Sequence, residues 1–143
     1  MAVNKTPGYK IKKTPRFSNH PEPGYVLGGR IWLEKDGELY IGWGRIILLE
    51  HIDKFGSIAG AAKSMGLGYR NAWLWVEAMN RLAPVPLVEK ATGGVGGGHA
   101  RLTGEGQKVI IEYKEIRTRF QEFLKQNGLS LSMGRYTNLN KNI

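Results

Sequence analysis

The sequence predicts a mainly α-helical protein with a small β component: a β-hairpin, three helices, a second hairpin and a long C-terminal helix. Three observations predict it. Asp36-Gly37 separates two apolar runs, apolar residues recur every three or four positions in three later segments, and Gly93-Gly94-Val95-Gly96-Gly97-Gly98 interrupts two short extended stretches. At 143 residues the chain suits one domain with loose ends, large enough to bury a core.

The first hairpin is expected from Tyr25 onward. Val26, Leu27, Ile31, Trp32 and Leu33 lead to Lys35-Asp36-Gly37-Glu38, and Leu39, Tyr40 and Ile41 follow. Asp-Gly tolerates the positive φ that both central positions of a tight hairpin turn require. A helix is expected from about Trp43, with Ile46, Leu49, Ile52 and Phe55 on its apolar face and Gly56 at its end. Ser57 is placed to cap a short second helix, whose Ala59, Gly60, Ala61 and Ala62 allow close packing. Gly66-Leu67-Gly68 breaks it, with Gly66 suited to a left-handed C-terminal turn.

The third helix, Tyr69 to about Leu82, carries Ala72, Val76 and Met79 as a stripe flanked by Trp75 and Leu82. Pro84 and Pro86 close it. Leu87-Val88-Glu89-Lys90 and His99-Ala100-Arg101-Leu102 then read as strands either side of the glycine loop. Thr103 is positioned to cap the last helix, where Val109, Tyr113, Ile116, Phe120 and Phe123 or Leu124 repeat up to Gly128.

Two helices joined by a glycine turn, then strand, loop and strand, are the parts of a winged helix-turn-helix. The expected organisation is a basic arm over 1–24, a winged domain over 25–128 and a loose tail over 129–143. Within that domain the helix-turn-helix covers about 57–83, the wing about 87–102 and the C-terminal helix about 103–127. The net charge of +9 favours a polyanionic partner. A helix that begins right after the turn offers its first residues to a major groove. Those residues are Tyr69, Arg70 and Asn71, with Trp73 and Leu74 one turn on.

Arg70 suits a fork on guanine O6 and N7 or a phosphate contact, and Asn71 suits adenine. Tyr69 or Trp73 suits a thymine methyl or a sugar, although an aromatic on a helix is as readily a core residue. Ser57, at the start of the second helix, joins the candidate DNA contacts. On the wing, Lys90, Thr92, His99 and Arg101 are candidate phosphate contacts, against the alternative of a plain hairpin tip. The arm, with Lys5, Lys10, Lys12, Lys13 and Arg16 and no acid in its first 20 residues, could follow phosphates or remain solvated.

The run from Gly56 to Gly66, Tyr69-Arg70-Asn71-Ala72-Trp73, Met79-Asn80, Leu87-Val88-Glu89, Thr92-Gly93-Gly94, Gly96-Gly97-Gly98 and Leu102-Thr103-x-x-Gly106 together resemble the N-terminal domain of ModE molybdenum-dependent transcriptional regulators. The resemblance spans roughly residues 27 to 125. It implies a dimer on a palindromic operator, with the last helix joining the subunits. Gly68 stands where the family commonly has serine, a departure that costs only a few tenths of a kcal/mol at an N-cap. Full-length members continue into a molybdate-binding region. The resemblance carries no such site onto this sequence, so a stand-alone form that does not bind molybdate is expected.

Other classes fit poorly. The sequence has no cysteine, and His20, His51 and His99 form no metal-ligand spacing. The glycine loop lacks the Gly-Lys-Ser/Thr of a P-loop, and His99 stands where a dinucleotide fingerprint needs its third glycine. No catalytic residue, cofactor or metal is expected, and His51 reads as a structural neighbour of the first helix. The longest aliphatic run, Ile46 to Leu49, is far below the roughly 20 residues of a membrane span. The expectation is a cytoplasmic, nucleoid-associated dimer that binds double-stranded DNA. A sequence-indifferent architectural DNA-binding protein and a protein-binding adaptor are the rival readings.

Overall fold

The structure is a computed structural model that describes residues 26–91 and 98–132. Among them are four helices and two antiparallel hairpins, in the order β1 (Trp32–Lys35), β2 (Glu38–Gly42), α1 (Trp43–Phe55), α2 (Ile58–Met65), α3 (Tyr69–Leu82), β3 (Val88–Ala91), β4 (His99–Leu102) and α4 (Gly104–Ser132). They form two units, Trp32–Tyr113 and the grouping of 26–31 with 114–132. The expected arm, Thr92, loop residues 93–97 and the tail from 133 onward lie outside the described residues.

In the first hairpin Asp36 and Gly37 take φ of 52° and 77°, as the Asp-Gly pair predicts. The strand starts later than expected, at Trp32, and its register shifts between Leu33 and Glu34. Every residue of β1 is exposed, Trp32 and Leu33 by more than half. The reason is that β1 is one of only two strands, and it is β2 that packs on α1 and α3, burying Tyr40 and Ile41.

Helix α1 is central to the first unit, packing on α2, β2 and β4. Ile46, Leu48, Leu49 and Ile52 are fully enclosed. Phe55, expected on this face, is instead 46% exposed. Each three-residue step falls short of a full turn by about 60°, so the fourth member of the series faces away from the first. The Phe55 ring lies instead against His51 and under the Lys54 ammonium. Gly56 ends the helix at φ 69°, and its carbonyl accepts from the Ala100 amide at 2.9 Å, tying β4 to this corner.

Helix α3 buries Ala72, Val76, Met79 and Leu82. Trp75, expected to flank this core, is half-buried, consistent with an indole too large for a small core to enclose completely. The backbone after the helix is gripped by Asn80. Its Oδ1 accepts from the amides of Leu87 (2.9 Å) and Val88 (3.1 Å), and its Nδ2 donates to the Val88 carbonyl at 2.9 Å. Strands β3 and β4 pair with Val88 opposite Leu102 and Lys90 opposite Ala100.

Thr103 caps α4 as expected, its Oγ1 accepting from the Gly106 amide at 3.1 Å while donating to the Pro86 carbonyl at 2.7 Å. A Cβ at Gly106 would lie 2.3 Å from the Leu87 oxygen. Only glycine lets α4 approach so closely. The helix does not stop at Gly128 but runs to Ser132, so the tail expected from 129 begins as helix. A helical glycine costs about 1 kcal/mol relative to alanine but does not by itself end a helix.

In the second unit the backbone at Gly29 rests on α4. A Cβ there would be 2.8 Å from Phe120 Cζ and 3.5 Å from Leu124 Cδ2. The Phe120 and Phe123 rings stack at 6.5 Å, and Ile116 and Phe123 are each 55% exposed. Asn80→Ala would strip partners from three backbone groups beside the buried Leu87 and Val88, and is expected to cost about 2 kcal/mol. Denaturant unfolding at constant m checks it; a loss under about 0.5 kcal/mol would show the grip to be dispensable.

Candidate nucleic-acid interface

The turn between α2 and α3 is built by local chemistry. Ser57 Oγ accepts from the Gly60 amide at 2.9 Å, so this side chain is engaged as the α2 cap. Gly66 closes α2 at φ 65°, and the Leu67 amide returns to the Ala62 carbonyl at 2.9 Å. The buried Leu67 side chain pins the turn. Gly68 then sits in an extended conformation ahead of α3 and, having no side chain, leaves the first amides of that helix without a side-chain cap.

The opening of α3 has two faces. Ala72, Val76 and Met79 are buried, whereas Tyr69 is 57%, Trp73 39% and Leu74 45% exposed. Arg70 is exposed beside them, and Asn71 is half-buried. Tyr69, Arg70 and Trp73 line a shallow recess of about 340 Å³. The first turn holds no acidic residue. Five of the sequence-predicted residues are therefore brought together on one helix, four of them well exposed.

The hairpin candidates are arranged differently. Arg101 pairs with Glu89 across the β3–β4 ladder at 2.8 Å and keeps its side chain 81% exposed. His99 is exposed at the start of β4. Lys90 forms an ion pair with Glu77 of α3, and its ammonium lies 5.1 Å from the centroid of the Trp73 ring. Thr92 lies outside the described residues. His51 ties α1 to α2, its Nδ1 2.6 Å from Ser64 Oγ, which donates to the Ala61 carbonyl.

Several contributors escaped the sequence reading. Glu77 and Asn80 secure the β3–β4 hairpin to α3, and Arg81 pairs with Glu38 of the first hairpin. Arg45 donates to the carbonyls of Leu39 and Tyr40, and burial pushes its guanidinium pKa down. Glu77 was findable, because it stands four residues after Trp73, on the same side of the helix. Arg81 and Glu38 are far apart in sequence, and the Arg45 and Asn80 bonds, although short in sequence, go to backbone groups that no side-chain spacing marks.

No family model matches the chain. Similarity to known proteins nevertheless covers about half or more of the chain. The molybdenum-pterin-binding protein MopA of Rhodobacter capsulatus is 49% identical over 81 residues, covering 57% of this chain and 31% of that protein. MopB of the same organism is 41% identical over 101 residues, 71% of this chain and 37% of the relative. The DNA-binding transcriptional dual regulator ModE of Escherichia coli K12 is 51% identical over 69 residues, 48% of this chain and 26% of the relative. Over part of its length the chain is thus similar to ModE and Mop proteins. It aligns with only about a third of the length of these curated relatives. Among the described residues, no helix is long and apolar enough to cross a membrane.

The Glu38 carboxyl is held below the usual glutamate range, first by its hydrogen bond from Arg81, and the Arg81 guanidinium is correspondingly raised. A carboxylate lowered in the folded state stabilises it in full above the unfolded pKa, and that contribution disappears as pH falls through the folded value. Arg81→Gln should therefore lose less stability than the parent between about pH 7 and pH 3. Unfolding midpoints at the two pH values measure this, and equal losses would contradict the assignment.

Proposed function

We propose that this chain is a sequence-specific DNA-binding transcriptional regulator, built on a winged helix-turn-helix and acting as a dimer on a palindromic operator. The observation that carries the reading is the two-faced opening of α3. Its inner stripe is locked into the core, and Tyr69, Arg70, Trp73 and Leu74 stand outward without an acid in the first turn. That the relatives of Escherichia coli and Yersinia pestis are named transcriptional regulators supports it.

In this reading α3 enters the major groove. Arg70 forks onto guanine or a phosphate, Asn71 meets adenine, and Tyr69, Trp73 and Leu74 supply apolar contact to thymine methyls and sugars. The β3–β4 hairpin is the wing, whose Arg101, His99 and Thr92 follow phosphates, and the amides around Ser57 approach the backbone beside them. In this reading the chain works in the cytoplasm at the nucleoid and acts by binding DNA rather than by catalysing a reaction.

Selection from a random duplex pool, followed by titration of the selected and a scrambled duplex, tests this reading. Arg70→Ala should weaken the selected duplex about tenfold to a hundredfold and relax preference at one position, since a base fork is worth about 1–3 kcal/mol. Equal parent affinity for every duplex would leave an architectural protein instead, and no affinity for any would leave a protein adaptor.

Dimerisation through α4 rests on its exposed Ile111, Ile116 and Phe123, more apolar side chain than a lone helix ordinarily leaves in water. Sedimentation should show a dimer at micromolar concentration, converted to monomer by Ile116→Glu with Phe123→Glu. A parent that sediments as a monomer overturns this part. Selected sites should then show half-sites about 10 bp apart, or a multiple of that.

A further inference from the structure

Side chains on a strand alternate between faces, so Lys90 shares its face with Val88, and their partners Ala100 and Leu102 lie on the same side of the ladder. Val88, Ala100 and Leu102 are all buried. Lys90 is therefore on the side turned toward the protein, whereas Glu89 and Arg101 pair on the other. Its exposure follows: the Lys90 side chain is 30% accessible, that of Arg101 81%.

What Lys90 meets there is α3. Trp73 and Glu77 are one helical turn apart, and the ammonium of Lys90 lies over the Trp73 ring, 5.1 Å from its centroid, while ion-paired with Glu77. A cation over an indole face is attracted by the ring's quadrupole, and a carboxylate beside it holds the cation in place. To reach a phosphate, Lys90 would have to give up both partners.

The geometry points to Lys90 and Glu77 as positioning residues: together they clasp the Trp73 indole and set the orientation in which α3 presents it to DNA, and Lys90 is not itself a phosphate contact. This deepens the proposed function and rests on its reading of α3. Trp73, which is 39% exposed, is the largest apolar group on that face, and its orientation decides which sugar or thymine methyl it can reach. The clasp also couples the β3–β4 hairpin to the reading helix, so that one does not shift without the other.

The experiment uses the full chain with Lys90→Met, Lys90→Arg and Glu77→Gln. In the DNA-free protein, the indole N–H resonance of Trp73, assigned by its loss in Trp73→Phe, should move in Lys90→Met and Glu77→Gln and stay near the parent position in Lys90→Arg. On the selected duplex, Lys90→Met and Glu77→Gln should each weaken binding about tenfold, the size of a lost cation–π clasp, and Lys90→Arg should restore it. The slope of log affinity against log salt should be unchanged.

Three results would overturn the clasp: an unmoved Trp73 resonance, tighter binding by Glu77→Gln because a lysine has been released to the phosphates, or a salt slope that drops by about 0.9 in Lys90→Met, the signature of one lost phosphate contact. If the parent shows no preference among duplexes, it is the base-reading role of α3 that fails, and the Trp73 resonance alone decides whether Lys90 orients the indole.

Discussion

The peptide groups of Leu87 and Val88 lie beside fully buried side chains, where water is not at hand to satisfy them, and an unpaired backbone group in such a place costs as much as a lost hydrogen bond. Three elements share the task. Asn80 of α3 engages both amides and the Val88 carbonyl. The Thr103 amide donates to the Leu87 carbonyl at 2.9 Å, and Gly106 admits α4 against the same oxygen. The end of α3, the start of the β3–β4 hairpin and the start of α4 are consequently held to one point. Within this unit, α3 cannot turn about its axis without breaking that point.

Such anchoring matters because α3 has different work on its two sides. Ala72, Val76 and Met79 hold it by apolar burial, which is strong but non-directional. The clamp at Leu87 and Val88 adds direction, since hydrogen bonds set distance and angle. With the inner face held both ways, Tyr69, Arg70, Trp73 and Leu74 are presented in a defined array. Glu38 and Arg81 reach from the first hairpin to the far end of the same helix, and Lys35 Nζ donates to the Leu82 carbonyl at 3.2 Å. Both hairpins thus grip α3 from residues outside its buried stripe.

The basic charge of the chain divides accordingly. Lys90, Arg81, Arg101 and Arg119 are all drawn to carboxylates, but an exposed pair in water is worth little and can exchange its partner for a phosphate. Exposure separates them. Arg101 remains largely open to solvent, while Lys90 is less open and lies against an indole and a carboxylate. Two basic residues of the same hairpin thus differ in what lies on their own side of the strands.

Much of the local architecture was legible without coordinates. Asp36-Gly37 and Gly66 declared positive φ, Ser57 and Thr103 declared helix starts, and the 72-76-79 spacing declared the buried face of α3, because each is decided by residues within a turn or two of one another. Signals weakened where local pattern competed with surroundings. Phe55 continued a spacing of three but had rotated off the core face, β1 was apolar yet had nothing to cover it, and Gly128 suggested an end where the helix continues. The face of each strand residue followed from period two, yet only the fold showed that Lys90 meets Trp73 and Glu77. Sequence by itself determined the elements, their caps and turns, and which helix bears the exposed cationic and aromatic residues, since propensity and periodicity act over short separations. Tertiary structure alone decided which cations are engaged, how Asn80 and Gly106 secure the node at Leu87, and which apolar faces are covered, since those depend on how the elements are brought against one another.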